Sequence, residues 1–70
     1  MTIRTYRVEG MTCGHCARSV EQEVSAIAGV EGATVDLSAA TVAVESIDEI
    51  PESQVAGAVV EAGYALAGRA

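Results

Sequence analysis

Apolar residues along this chain switch from every second position to a three-and-four spacing and back again, twice, and in 70 residues that pattern leaves few folds open. Ile3 to Val8 reads as a strand with Tyr6 and Val8 on one face, and Arg4 and Arg7 mark it as partly exposed. From His15 or Cys16 to Ala28, Val20, Val24 and Ile27 recur at helical spacing, with Arg18, Glu21, Gln22 and Glu23 elsewhere. Gly29 is placed to end that helix. Ala33 to Leu37 then alternates with Val35 and Leu37 on one face, Ser38-Ala39-Ala40 turns, and Thr41 to Glu45 alternates with Val42 and Val44. Two short strands joined so tightly should form an antiparallel hairpin.

Pro51 suits the first position of a second helix and Glu52 puts an acid in its first turn, favourable beside the positive end of the helix dipole. Val55, Val59 and Ala62 follow at helical spacing, and Gly63 stands at the stop. Gly57 inside this helix costs about 1 kcal/mol relative to alanine unless something packs against it. Tyr64 to Leu66 makes a short last strand, and Gly68-Arg69-Ala70 reads as a frayed end. The order β-α-β-β-α-β predicts an α+β fold, a ferredoxin-like sandwich whose four-stranded antiparallel sheet carries both helices on one face. We expect one domain over residues 1–70, with one small core.

Both cysteines of the chain fall in Gly10-Met11-Thr12-Cys13-Gly14-His15-Cys16, where the first strand pattern gives way to the first helix pattern. Two thiols at this spacing on a turn that opens a helix can aim their sulfurs at one atom, which is either the other sulfur or a metal. The unpaired N–H groups of a helix start favour thiolate over thiol, and thiolate is the reactive form in both chemistries. A disulfide between them would close only a tiny loop and add little stability, so the pair is there for chemistry.

Nothing in the chain reads as a signal peptide, and its apolar stretches fall far short of the ~20 residues that span a bilayer, so a cytoplasmic protein without membrane insertion is expected. In that compartment a paired thiol motif is more often metal-binding or catalytic than structural. The net charge of −6, the absence of a basic stripe and the presence of only two aromatics, Tyr6 and Tyr64, exclude nucleic acid as a partner. Residues 1–20 carry +2 and residues 21–70 carry −8, so the cysteine-bearing end is the less negative. Arg4, Arg7 and Arg18 either cluster there by chance or form a docking face for an acidic partner. The chain has no lysine, no phosphate-binding glycine loop and no serine set beside a histidine and an acid, and it is not expected to be an enzyme.

The cysteine motif after the first strand, the element order and Glu61-Ala62-Gly63-Tyr64 near the end together resemble the heavy-metal-associated domains of small copper chaperones and of the N-terminal extensions of copper-transporting P-type ATPases. The resemblance implies that Cys13 and Cys16 hold one Cu(I) in near-linear coordination, with Ag(I) or Zn(II) as adventitious ligands. Cu(I) is soft, prefers thiolates and tolerates low coordination, which leaves room for an incoming thiolate. Family members that handle zinc or cadmium tend to carry an acid beside the first cysteine, and Thr12 is no such ligand.

Met11 is either a third soft ligand or, as the same resemblance implies, packs under the loop as core. His15 is either an exposed residue that helps keep the cysteines ionised, or a third ligand or a contact to a partner-held or second metal ion. Tyr64 either covers the loop or tunes exchange from behind the sulfurs. The implied partner is a copper-transporting P-type ATPase, at its metal-binding domain or ion entrance, with the apo protein a monomer and a copper-bridged dimer open to it.

Two other readings stay in view. A regulatory domain of such an ATPase would use the same residues, and the start methionine and lack of a linker favour a stand-alone chaperone. A dithiol oxidoreductase would share Cys-Gly-His-Cys with protein disulfide isomerase domains. Those domains, however, carry an aromatic residue before the first cysteine and a proline facing the disulfide, where this chain has Thr12 and only Pro51.

Overall fold

The computed structural model describes residues 2–11 and 14–69. The elements are β1 (Thr2–Glu9), α1 (Gly14–Ser25), β2 (Val30–Asp36), β3 (Thr41–Ser46), α2 (Glu52–Glu61) and β4 (Ala65–Arg69). The strands form one antiparallel sheet in the order β2-β3-β1-β4, the ferredoxin-like arrangement the periodicity calls for. β1 occupies the centre, pairing β3 from Thr2↔Ser46 to Arg7↔Thr41 and β4 from Tyr6↔Arg69 to Glu9↔Ala65.

Strand alternation puts Tyr6 and Val8 of β1 on the same side as Val42 and Val44 of β3, and there they meet Val20 and Val24 of α1 and Val55 and Val59 of α2. All eight are buried, so both helices cover one face of the sheet. Among the described residues no helix is long and apolar enough to cross a membrane.

The element boundaries depart from the expected ones where backbone hydrogen bonding overrides side-chain spacing. α1 ends at Ser25 and not Ala28, because the Ala26 and Ile27 amides donate to carbonyls of the preceding turn and tighten it. Ile27 still packs on the core, which is why its spacing looked helical. β2 starts at Val30, three residues early, since Val30 pairs Ser46 across an irregularity that sets Gly32 opposite Glu45.

Leu37 lies in the turn and not in the strand. The Asp36 carboxylate accepts the Ser38 hydroxyl at 2.7 Å and the Ser38 and Ala39 amides at 3.0 and 3.2 Å, so its side chain takes over the turn. These bonds, the Ser38 hydroxyl foremost, hold the Asp36 carboxyl below its ordinary range. Pro51 is the cap of α2 and not its first helical residue, with ψ 137° and its carbonyl accepting the Gln54 amide at 3.0 Å.

The expected frayed end is part of the sheet. β4 runs on to Arg69, with Gly68 opposite Arg7, and Arg69 reaches Glu49 at 3.4 Å and Glu52 at 3.9 Å. Arg4 meets the same Glu49 at 3.1 Å, so the start of β1, the approach to α2 and the end of β4 are tied together. These pairs are about half exposed and contribute at most about 1 kcal/mol each.

Gly57 is exposed, and a Cβ built on it meets nothing within 4 Å. No packing offsets its helix penalty. Gly57→Ala should therefore stabilise the fold by about 1 kcal/mol and raise Tm by roughly 4–8 °C in a domain of this size. Thermal unfolding followed by circular dichroism checks this, and an unchanged or lower Tm would mean that the added methyl group is not accommodated freely on α2.

Candidate metal centre

The loop that carries the cysteines is set by backbone geometry at its two flanks. β1 ends at Glu9, and Gly10 follows at φ +95°, a conformation that L side chains rarely adopt. A Cβ there would also lie 3.2 Å from Cδ1 of Tyr64, so the tyrosine ring rests on the Gly10 backbone. Met11 is half-buried and packs against the core. Thr12 and Cys13 lie outside the described residues.

α1 begins at Gly14, with His15 exposed, Cys16 half-buried as the third helical residue, and Ala17 buried behind it. The first turn of α1 contains no acidic side chain to offset the positive end of the helix dipole, which suits an anionic sulfur. The Ser19 hydroxyl donates to the His15 carbonyl at 3.1 Å. Among the described residues no group of three or more His, Cys, Asp or Glu is placed to hold a metal ion.

Tyr64 reaches Gly10 because of how α2 stops. The Tyr64 amide donates to the Val59 carbonyl at 3.0 Å and the Gly63 amide to Val60 at 2.9 Å, with Gly63 at φ +98°. That pair of bonds is the glycine-terminated Schellman stop. Glu61-Ala62-Gly63-Tyr64 thus encodes a helix end that delivers an aromatic ring to the start of the cysteine loop. Sequence reading named Gly10 and Tyr64 separately; their contact is apparent only once the sheet brings β1 beside the turn into β4.

The arginines of the N-terminal part do not form one basic face. Arg4 points to the side of the sheet that carries the helices and is bound by Glu49. It stands six residues before Gly10, about 20 Å away along the strand. Arg7 is exposed on the opposite face, and Arg18 lies beside the groove between α1 and β2.

The family model of the heavy-metal-associated domain matches residues 5–65, which run from β1 through the cysteine motif and both helices to the start of β4. The chain belongs to the heavy-metal-associated domain family. It is 37% identical over 68 residues to the copper chaperone CopZ of Bacillus subtilis, an alignment covering 96% of this chain and 99% of the relative. A solved CopZ metallochaperone superposes with a TM-score of 0.86 at 36% identity, covering 93% of this chain and 98% of that one.

A protein of Alkalihalophilus pseudofirmus named "Probable cadmium-transporting ATPase" is 41% identical over 56 residues, 80% of this chain but 8% of the relative. Relatives named for different metals thus match this chain at similar identity. Overall similarity does not select the ion, and the ligand set has to.

Proposed function

We propose that this heavy-metal-associated domain is a copper chaperone: Cys13 and Cys16 bind one Cu(I) as thiolates, and the ion passes by ligand exchange to a copper-transporting P-type ATPase. The observation that carries this reading is the near end-to-end alignment with CopZ, whose name states that role. The donor set supports it. Two cysteines, with Thr12 and no acid beside the first, and no acid in the first turn of α1, offer soft sulfur and withhold the oxygen that harder divalent ions prefer.

Transfer then needs only sulfur chemistry. A thiolate of the partner attacks the two-coordinate Cu(I), a three-sulfur intermediate forms, and the bond to Cys13 or Cys16 breaks. The first step adds a Cu–S bond and the second breaks one, so the exchange as a whole changes the free energy little and relative affinity sets the direction. Met11 packs on the core and the Tyr64 ring rests on Gly10, so the first residues of the motif are held in place before the ion arrives. His15, exposed between the cysteines, is available to a docking partner. No catalysis is assigned to the domain, and its place of action is the cytoplasm, on the ATPase's ion-entrance side.

A divalent-ion role is the second reading, favoured by the match to the relative named for cadmium. Competition titrations of the reduced protein with Cu(I), Zn(II) and Cd(II) against chromophoric chelators separate the two. Stoichiometric Cu(I) binding far tighter than that of either divalent ion is the expected result. Divalent binding of comparable strength would assign the domain to divalent transport, and weak binding of all three would return the dithiol to redox chemistry.

A further inference from the structure

β2 is an edge strand, hydrogen-bonded to β3 on one side and open on the other. An open edge presents amides and carbonyls to any further strand, including one from a second copy of the chain. The two edges of this sheet differ in how they meet that hazard. β4 is five residues long, shifts register against β1, carries Gly68 at φ +116° and ends on charged Arg69. Each of these features spoils a template for pairing. β2 is irregular only near its start, and from Gly32 to Asp36 it keeps an unbroken register with β3. That run has neither proline nor lysine. It is the stretch along which a new strand would add.

Glu21 stands in the way. Its carboxylate reaches across from α1, and Oε2 accepts the Val35 amide at 2.8 Å. The Val35 N–H therefore points away from β3 and is an outward donor of the kind an incoming strand requires. A charged acceptor holds such a donor more strongly than a neutral carbonyl does. Beside it, Arg18, Gln22, Ser25 and Ala33 line an open groove between α1 and β2, which leaves an extended segment room once the carboxylate is gone.

We infer that Glu21 locks the β2 edge and keeps two copies of this chain from joining by antiparallel β2–β2 pairing. The sequence of the strand suits a second copy as the occupant. Pairing centred on Thr34 sets Ala33 opposite Val35, Gly32 opposite Asp36 and Glu31 opposite Leu37, so that no acid faces an acid. The lock is independent of the cysteines and of any metal they carry.

The test compares wild type, Glu21→Ala, Glu21→Met, Glu21→Gln and the double variant E21A/V35P, all reduced and metal-free in chelator. The readouts are sedimentation equilibrium and amide exchange by NMR. Glu21→Ala and Glu21→Met should self-associate at least about tenfold more tightly than wild type, with the Ala33 and Val35 amides gaining protection as concentration rises. Glu21→Gln keeps a carbonyl acceptor and should stay monomeric. Proline at Val35 removes the outward N–H, a change an edge strand tolerates, and should abolish the association.

Folded, monomeric Glu21→Ala and Glu21→Met would overturn the proposal, as would association that survives Val35→Pro. Loss of the fold in both single variants would overturn it too, because Glu21 would then be needed to build the edge and not to guard it.

Discussion

Cys13→Ser and Cys16→Ser should each weaken Cu(I) binding by well over a hundredfold while the fold stays intact. Losing a residue that merely orients a metal ligand costs about 10–100-fold in affinity, and losing one of two ligands must exceed that. Serine presents a hard hydroxyl that stays protonated at neutral pH, whereas Cu(I) draws its stability from soft anionic sulfur. Among the described residues no group of three or more His, Cys, Asp or Glu is placed to take over the ion.

The fold should survive the change at Cys16 because that residue is only half-buried and stands outside the buried cluster formed by Tyr6, Val8, Val20, Val24, Val42, Val44, Val55 and Val59. Chelator competition reports the affinity and amide dispersion in NMR reports the fold. Near-native affinity in either variant would show that the ion is held elsewhere. Unfolding of the metal-free variants would show a structural role for the thiols.

The parts of this molecule that were legible from sequence are those governed by side-chain burial. Tyr6, Val8, Val20, Val24, Val42, Val44, Val55 and Val59 all announce their faces by spacing, and they fix β1, α1, β3 and α2 and the side on which the helices lie. What spacing could not show is decided by backbone groups looking for partners. Ile27 has helical spacing but sits in a tightened turn, Leu37 is displaced from its strand by the Asp36 carboxylate, and β4 runs on to Arg69 because its backbone pairs β1 as far as Tyr6.

At the candidate site the same division holds. The cysteine pair is read directly from its spacing, whereas the contact between Gly10 and Tyr64 joins residues more than fifty positions apart and depends on β1 and β4 being neighbours. The bond from Glu21 to the Val35 amide had no signal at all, since a glutamate on the polar side of a helix looks the same whether it faces water or a strand edge.

Tyr6→Ala should remove most of the metal-free fold, and its consequences show how the core and the cysteine loop are coupled. Tyr6 lies at the middle of the central strand, paired with Val42 on one side and Arg69 on the other, and is 1% exposed. Truncating a buried aromatic to alanine costs about 3–5 kcal/mol, because the surroundings collapse only partly into the space left behind. A single core in a chain of this length rarely supplies more than about 3–5 kcal/mol of stability, so the variant should be largely unfolded or close to it at 37 °C.

The loop that leaves β1 at Gly10 is carried by the strand Tyr6 anchors, so metal binding and folding should become linked in this variant. Its apparent Cu(I) affinity should fall in proportion to the fraction folded. An excess of Cu(I) about a thousandfold above Kd should in turn restore up to about 4 kcal/mol, less whatever the unfolded cysteines bind. Recovery of amide dispersion on adding Cu(I), absent when Cys13→Ser is combined with Tyr6→Ala, is the expected signature. A Tyr6→Ala protein that melts within a few degrees of wild type would instead mean that the helices can close on the sheet without the ring, and the core would have to be assigned to the valines alone.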